Sequence, residues 1–258
     1  MAYVFGLRGN SFDARYAGGY KEATYLSSST PTIVTDVSAI GGEAIDLTGY
    51  SGLTYSGRGN WSETGDFSLL TRVKFSALGS TVSMIFSFGR PSKRGSYPIF
   101  ETYMFQSAGG FRTYHYNDAG FIGISGSYIS DGTMVVDTWY DLGFTWNNTT
   151  KQFKIYKDGT LLNTLTSSVA PISNPAIWGK TGLLSFGWGN EWHATFITLG
   201  EAVAWDTIVD FSSATALELT TGSGAANGAS RTAFVNVPEY DGLASGGGKK
   251  SFGEFGMS

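Results

Sequence analysis

The chain has 258 residues, no cysteine, a net charge of −4 and only 15% charged residues. The acidic balance argues against a nucleic-acid partner, which requires a basic surface, and no apolar run approaches the ~20 residues of a membrane span. The start of the chain, MAYVFGLRGNSFDARY, lacks the long apolar core of a secretory signal, and the absence of cysteine fits folding in a reducing compartment.

The composition is typical of a protein with many short strands joined by tight turns. There are 36 glycines, 18 phenylalanines, 14 tyrosines and 7 tryptophans. No proline-rich or charged linker interrupts residues 1–221, so we expect one large all-β domain there. Residues 222–258 are expected to form a separate C-terminal arm.

Alternation of apolar and polar residues predicts most of the strands. In residues 66–77, for example, Phe67, Leu69, Thr71, Val73 and Phe75 fall on one face. In chain order, strands are predicted over residues 3–7, 32–37, 43–47, 52–55, 66–77, 82–89, 99–106, 111–117 and 121–127.

Residues 135–166 are predicted to form three consecutive antiparallel strands, around which the other strands are organised. The first strand has the alternation of a half-buried strand, with Tyr140, Leu142, Phe144 and Trp146 on one face and Asp141, Gly143 and Thr145 on the other. The pair Asp158–Gly159 predicts a type I′ turn, because both central residues of that turn need a positive φ. Such a meander cannot bury its apolar face alone, so a second sheet must cover it.

The domain is predicted to close with strands over residues 183–187, 194–199 and 201–206, followed by a helical turn over residues 212–217. The glycine- and serine-rich sequence beyond residue 221 is typical of a linker. Apolar residues recur within it, however, and they predict an extended arm that lies on its own domain or on a neighbouring subunit. The arm residues proposed for assembly are Phe234, Val237, Tyr240, Phe252 and Phe255.

Three segments resemble the concanavalin A-like superfamily, specifically its laminin G-like and pentraxin-like jelly rolls. Residues 43–73 resemble its opening strands, 139–162 its tryptophan-led strand followed by a strand ending in Tyr-x-Asp-Gly, and 184–217 its closing pattern. The resemblance implies a two-sheet antiparallel β-sandwich (a concanavalin A-like jelly roll), with stacked, curved sheets of about six or seven strands and a concave face. Members of this superfamily bind carbohydrates or proteins, and some hydrolyse β-glucans.

The glucan-cleaving relatives carry a Glu-x-Asp-x-x-Glu run on one strand. Here the single Glu-x-Asp is Glu239-Tyr240-Asp241, and no glutamate follows at the required position. The sequence therefore predicts a protein that is not an enzyme and that has no cofactor. Two histidines without cysteine argue against a transition-metal site. Structural calcium occurs in the superfamily, and Asp66 and Asp131 lie near turns, but no ligand set is assigned.

Two groups of residues are candidates for ligand binding. The first is a loop with two aromatic and three polar side chains, Trp188, Asn190, Glu191, Trp192 and His193. The second is one face of the strand at residues 111–117, which carries Arg112, Tyr114 and Tyr116. Both groups could stack on sugar rings and bind their hydroxyls, or they could pack at a sheet edge or a subunit contact.

These observations favour a structural or binding protein of a bacteriophage particle, such as a decoration, fibre or adhesion protein. Such a protein is made in the host cytoplasm and needs no secretory signal or disulfide. Its partners would be sister subunits or other virion proteins, with cell-surface or other polysaccharide as a further ligand. The alternative is a free, extracellular carbohydrate-binding module or lectin.

Overall fold

The computed structural model describes residues 3–9, 14–16, 19–21, 24–25, 30–36, 42–49, 52–55, 65–77, 82–88, 100–105, 110–116, 122–124, 129–130, 134–168, 184–187, 195–205 and 207–212. Within these ranges the chain forms strands and no α-helix. None of the described segments is a helix with the length and apolar character that a membrane crossing requires.

The described strands form two antiparallel sheets, as predicted. Sheet A contains β1 (Tyr3–Arg8), β2 (Ala14–Tyr16), β3 (Gly19–Lys21), β5 (Thr32–Thr35), β6 (Glu43–Asp46), β8 (Phe67–Phe75), β14 (Trp139–Asn147), β15 (Gln152–Lys157), β16 (Thr160–Thr166) and β18 (Ile197–Trp205). Sheet B contains β4 (Thr24–Tyr25), β7 (Leu53–Tyr55), β9 (Val82–Phe88), β10 (Phe100–Phe105), β11 (Gly110–Tyr116), β12 (Ile122–Ile124), β13 (Ile129–Ser130) and β17 (Leu184–Phe186).

The strand order is β16-β15-β14-β8-β18-β1-β2-β3 in sheet A, with β6 also paired to β18 and β5 to β6. In sheet B it is β12-β11-β10-β9-β17-β7-β4, with β13 also paired to β11. The described sheets have ten and eight strands, more than the six or seven expected, because short strands such as β2, β3, β4 and β13 extend them. Their two or three residues are too few to show an alternation in the sequence.

The predicted meander is confirmed as β14, β15 and β16. Asp158 and Gly159 both have positive φ, 48° and 80°, as a type I′ turn requires. This turn sets Lys157 opposite Thr160, and a register shift between Ile155 and Tyr156 then places Phe153 opposite Leu165.

Aromatic rings from the two sheets meet in the core between them. Phe86 of sheet B lies 4.7 Å from Phe144 of sheet A, measured between ring centroids. Phe5 of sheet A meets Tyr55 of sheet B edge-on at 5.2 Å. All four side chains are fully buried. Burial of these rings on both inner faces is the dominant stabilising contribution of such a sandwich.

The prediction of two closing strands at residues 194–199 and 201–206 is wrong. They form one strand, β18, which occupies the middle of sheet A between β8 and β1. Its register against β8 shifts between Leu199 and Ala202. This β-bulge interrupts the alternation, so the sequence shows a break where the backbone continues.

After β18 the chain turns back over the outer face of sheet A. We call residues 207–212 the C-terminal strap. The Ser68 hydroxyl of β8 donates a hydrogen bond to the Thr207 carbonyl (2.7 Å) and accepts one from the Val209 N–H (2.8 Å). One serine side chain therefore binds the strap at both Thr207 and Val209.

The strap completes a second apolar cluster, separate from the main core. It consists of Leu70, Tyr156, Val203, Trp205, Val209 and Phe211, all buried. Phe211 lies edge-on to Tyr156, with ring centroids 5.6 Å apart. The ring rests above Gly143, where an added Cβ would come within 2.5 Å of it. The main core buries the inner face of β14, and the strap covers Gly143 on its outer face. β14 is therefore buried on both faces, whereas the alternation predicted a half-buried strand.

Ser212 lies at the end of the strap and is not helical. The remainder of the helical turn predicted over residues 212–217, and the whole C-terminal arm, lie outside the described residues. The boundary between the domain and the arm stays a prediction.

Candidate functional site

The alternation of β11 separates its side chains onto two faces. Phe111, Thr113 and His115 are fully buried against the core. Arg112 and Tyr114 project from the outer face of sheet B and are half-buried. The structure thus keeps two of the predicted ligand-binding residues on one surface.

Arg112 and Tyr114 form a stacked pair. The guanidinium carbon of Arg112 lies 4.6 Å from the centre of the Tyr114 ring. Attraction between a cation and the face of an aromatic ring holds the two side chains together and limits their rotamers. The pair presents a flat aromatic surface beside a group with several N–H donors.

The middle of the same face is closed. Tyr114 lies opposite Glu101 in the register, Glu101 opposite Ser87, and Ser87 opposite Ser185. Ser87 and Ser185 are fully buried, as is Met84, although all three turn away from the core. Among the side chains of this face that the structure describes, the partly accessible ones named here therefore lie on β11.

Ser87 and Ser185 are not among the residues predicted from the sequence. The signal was present, because each serine interrupts an apolar strand, VSMIFSF or LSF. A small polar residue between buried apolar neighbours indicates a position on the face opposite the core.

The other predicted site residues are not placed. Tyr116 belongs to β11, but its side chain lies outside the described part of the structure. The same holds for the whole loop with Trp188, Asn190, Glu191, Trp192 and His193, and for the arm residues Phe234, Val237, Tyr240, Phe252 and Phe255. Their roles remain predictions.

His115 faces the core and forms a polar contact between the two sheets. Its Nδ1 lies 2.8 Å from the Ser167 hydroxyl, which follows β16. Its ring packs on Trp146 of sheet A at 4.5 Å between centroids. Burial lowers the pKa of His115 from 6.5 to about 4. The imidazole is therefore neutral at physiological pH, and as a fully buried group it has a structural role.

The outer face of sheet A carries a charged cluster that the sequence did not predict. Arg72 of β8 donates to both carboxylate oxygens of Asp141 on β14, at 3.0 and 3.3 Å. The Asp158 carboxylate accepts a hydrogen bond from the Asp141 N–H at 2.9 Å. Burial raises the pKa of Asp141 from 3.8 to about 6, and Arg72 opposes that shift.

Trp139 lies between two cations on this face. The Arg72 guanidinium carbon is 5.7 Å and the Lys74 ammonium 5.3 Å from its ring centre. Lys74 also forms an ion pair with Asp36. These contacts join β14 to β8 and to the segment after β5. The charged cluster therefore has a structural role.

No metal site emerges from the described residues. In these ranges no three His, Cys, Asp or Glu side chains come together closely enough to hold a metal ion. Asp66 accepts a hydrogen bond from the Asn148 N–H at 2.7 Å and so holds the turn after β14. Asp131, the other aspartate considered for calcium, lies outside the described part of the chain.

Solved structures with similar folds include enzymes and binding domains. The receptor-binding domain of botulinum neurotoxin mosaic serotype C/D matches with a TM-score of 0.58 and 13% identity, covering 82% of this chain and 49% of that one. The binding domain of Paraclostridial Mosquitocidal Protein 1 matches with a TM-score of 0.57 and 15% identity, covering 81% and 50%. Trypanosoma rangeli sialidase in complex with sialic acid matches with a TM-score of 0.52 and 13% identity, covering 81% and 31%.

The chain therefore spans about a third to a half of the length of these structures. Identities this low show a shared fold and nothing more specific. No curated protein sequence matches the chain. A family model described as the concanavalin A-like lectin/glucanases superfamily matches residues 47–206, from the end of β6 to the end of β18. Because this match covers more than half of the sequence, the chain belongs to the concanavalin A-like lectin/glucanases superfamily.

Proposed function

We propose that this protein is a non-catalytic binding protein whose lectin-like sandwich takes a glycan on the outer face of sheet B. We further propose that it is a structural component of a bacteriophage particle. The observation that carries the glycan proposal is the half-exposed stack of Arg112 on Tyr114.

The chemistry of this pair suits a sugar ring. One side of a sugar ring presents C–H groups, which pack on an aromatic face, and its rim presents hydroxyls, which accept hydrogen bonds from a guanidinium. The buried residues Met84, Ser87 and Ser185 lie on the same face of sheet B, on strands separated from the pair by β10. The loop with Trp188 and Trp192 is proposed as a second part of the site.

Glycans are also the first ligands to test because of what similar folds bind. The T. rangeli sialidase was solved with sialic acid, and cell entry of botulinum neurotoxin type C is described as dependent upon interaction with two ganglioside molecules. These ligands belong to those proteins. For this chain they define the first members of a test panel.

The absence of catalysis is proposed from the sequence. Glu239-Tyr240-Asp241 is the single Glu-x-Asp and lacks the following glutamate of the glucan-cleaving relatives. The buried Asp141 is bound to Arg72 on the outer face of sheet A, which leaves it poorly suited to donate a proton to a ligand. Release of reducing sugar from polysaccharides by the purified protein would contradict this part.

The glycan proposal is tested with a glycan array and polysaccharide columns. We expect Tyr114→Ala and Arg112→Ala to weaken retention by at least about tenfold, as the loss of a central contact does. Lys154→Ala, which removes a charge from the outer face of sheet A, is the matched control and should bind as the parent does. Equal retention of all variants would refute this site, and Trp192→Ala tests the loop in the same assay.

The particle role is supported by the cysteine-free composition, which suits folding in a reducing cytoplasm, and by the apolar residues spaced through residues 222–258. Deleting residues 222–258 tests it. We expect the truncated protein to keep its fold and glycan binding but to be lost from the particle. Incorporation of the truncated protein would refute the arm, and a monomeric parent that binds polysaccharide would favour the free lectin.

A further inference from the structure

Strand β11 carries the proposed glycan site on one face and a polar contact on the other. Arg112 and Tyr114 are half-buried on the outer face of sheet B, and they alternate with Thr113 and His115, which are fully buried on the inner face. Neighbouring side chains of a strand share one backbone, so a displacement at His115 also moves Tyr114. The contacts on the inner face therefore affect the geometry of the stacked pair.

The inner-face contact of His115 joins sheet B to sheet A. Its Nδ1 lies 2.8 Å from the Ser167 hydroxyl, and its ring packs on Trp146 at 4.5 Å between centroids. Ser167 is itself held in sheet A, because its N–H donates a hydrogen bond to the Lys151 carbonyl at 2.9 Å. Both His115 and Ser167 are buried, and a polar contact is stronger where water is excluded. This contact therefore ties β11 to a fixed position on the opposite sheet.

The backbone pairing around β11 is irregular, which gives this tie more weight. β10 pairs with β11 over its whole length, whereas β12 and β13 pair with its two ends. The register against β12 shifts between His115 and Tyr116, and the register of β10 against β9 shifts between Thr102 and Tyr103. Such irregularities bend strands and change the direction of their side chains. A directional contact beneath the strand limits this freedom at the stacked pair.

The neighbouring polar contact of β11 acts within one sheet. The hydroxyl oxygens of Thr113 and Thr102 lie 3.2 Å apart, and they join β11 to β10. Two strands joined in this way can still shift together relative to sheet A. The contact of His115 crosses between the sheets, so it opposes that shift.

We propose that His115 and Ser167 are positioning residues of the glycan site, which hold Arg112 and Tyr114 where one sugar ring meets both. They act through β11 and do not touch the ligand. This inference rests on the proposed function of the outer face of sheet B. It adds the buried support that a binding surface needs if its side chains are to be in place before the ligand arrives.

Glycan retention by variants of the full chain tests the inference. The probe is the array glycan that the parent binds most strongly, starting with the sialic acid and ganglioside glycans of the panel. We expect Ser167→Ala and His115→Leu each to weaken retention by at least about threefold, since each removes one side of the contact. The double variant should bind no more weakly than His115→Leu, because both changes break the same contact.

Phe211→Ala is the matched control, because it removes a buried ring from the outer face of sheet A and leaves β11 intact. It should bind as the parent does, at a temperature where circular dichroism shows every variant to be folded. Amide hydrogen exchange gives a second measurement. Exchange at residues 112–114 should be faster in Ser167→Ala than in the parent or in Phe211→Ala.

Each outcome decides the proposal. If Ser167→Ala and His115→Leu bind as the parent does, the contact does not position the site and the inference is wrong. Equal weakening by Phe211→Ala would assign the effect to overall stability and would overturn it too. A parent that binds no glycan overturns the proposed function together with this inference, and amide exchange then reports separately whether His115 holds β11.

Discussion

The outer faces of the two sheets differ in how they are completed. On sheet A, a segment from the end of the domain returns across the sheet and buries Leu70 and Tyr156 beneath Val209 and Phe211. On sheet B, the centre is closed, but Arg112 and Tyr114 remain partly accessible over β11. Strands with the same alternation thus give a packed surface where a later segment covers them and a candidate binding surface where they stay open.

Both sheets also bury an ionisable group with a shifted pKa, and the two pKa values shift in opposite directions. Asp141 lies on the outer face of sheet A, where burial raises its pKa to about 6. His115 lies on the inner face of sheet B, where burial lowers its pKa to about 4. In both cases burial disfavours the charged form, so the two groups change stability in opposite directions on acidification.

The largest expected effect comes from removing the anchor of the strap. Phe211→Ala should lower the free energy of unfolding by about 3–5 kcal/mol, because it deletes a buried ring and leaves a cavity over sheet A. Urea unfolding followed by tryptophan fluorescence measures the loss. Val135→Ala, at an exposed position, should change it by less than about 0.5 kcal/mol. Similar values for the two variants would mean that the strap does not stabilise the domain.

The next largest effect is on the pH dependence of stability, to which the two buried ionisable groups contribute in opposite directions. The unfolded chain takes up a proton at His115 near pH 6.5, whereas the folded protein does so only near pH 4. Stability from this group is therefore lost as pH falls from 6.5 to about 4, by about 3 kcal/mol. Asp141 has the opposite effect. Its carboxyl takes up a proton near pH 6 in the folded protein but only near pH 3.8 in the unfolded chain, so its protonation adds stability as the pH falls.

The variant His115→Gln makes this difference measurable, since glutamine can keep a hydrogen bond to Ser167. Relative to the parent, its free energy of unfolding should rise by about 3 kcal/mol between pH 7 and pH 4. Asp141→Asn should shift the pH profile in the other direction. A parent and a His115→Gln variant with parallel pH profiles would show that His115 does not titrate as proposed.

A smaller effect is expected at Gly143, beneath the strap. Gly143→Ala places a Cβ within 2.5 Å of the Phe211 ring and should cost about 1–3 kcal/mol through displacement of the ring. In the Phe211→Ala background the same substitution should cost much less, since the clash is gone. A double-mutant cycle measures this coupling. Equal costs in both backgrounds would place the origin of the effect in β14 itself.

The smallest effect on stability is expected on the open face. Tyr114→Ala should lower the free energy of unfolding by about 1 kcal/mol, the value of a partly exposed cation–π contact, while it weakens glycan retention strongly. A loss as large as that of Phe211→Ala would mean that Tyr114 is a packing residue. The contrast between the two faces would then fail.

The sequence predicts most of the long strands because their alternation is regular. β8, β14 and β15 keep a period of two, and the turn at Asp158–Gly159 requires positive φ that few other dipeptides tolerate. In β18 the bulge near Gly200 places Leu199 and Ala202 on the same core-facing side. Because of this break in the alternation, the sequence predicts two strands where the structure has one.

The strap and the charged cluster are beyond a sequence-based prediction for a different reason. The strap contributes two residues to this cluster, Val209 and Phe211, which are too few to establish a period in the sequence. Their partners Leu70 and Tyr156 are distant in the chain. Arg72 and Asp141 meet only because β8 pairs with β14 in one register. On β11, alternation correctly placed Arg112 and Tyr114 on one face, whereas the pairing that brings Ser87 and Ser185 into the same sheet, beyond β10, joins segments distant in the chain.

The central position of β18 has a consequence for the order of events during synthesis. β18 pairs with β1 and β8, the strands on its two sides, yet it is translated after every other strand described here. Until residue 205 has left the ribosome, β1 and β8 each present an unpaired edge, and sheet A exists as three separate pieces, of which the β5–β6 pair is one. A nascent chain of this protein is therefore expected to close its sandwich late, with the non-local pairing of β18 as the slow step.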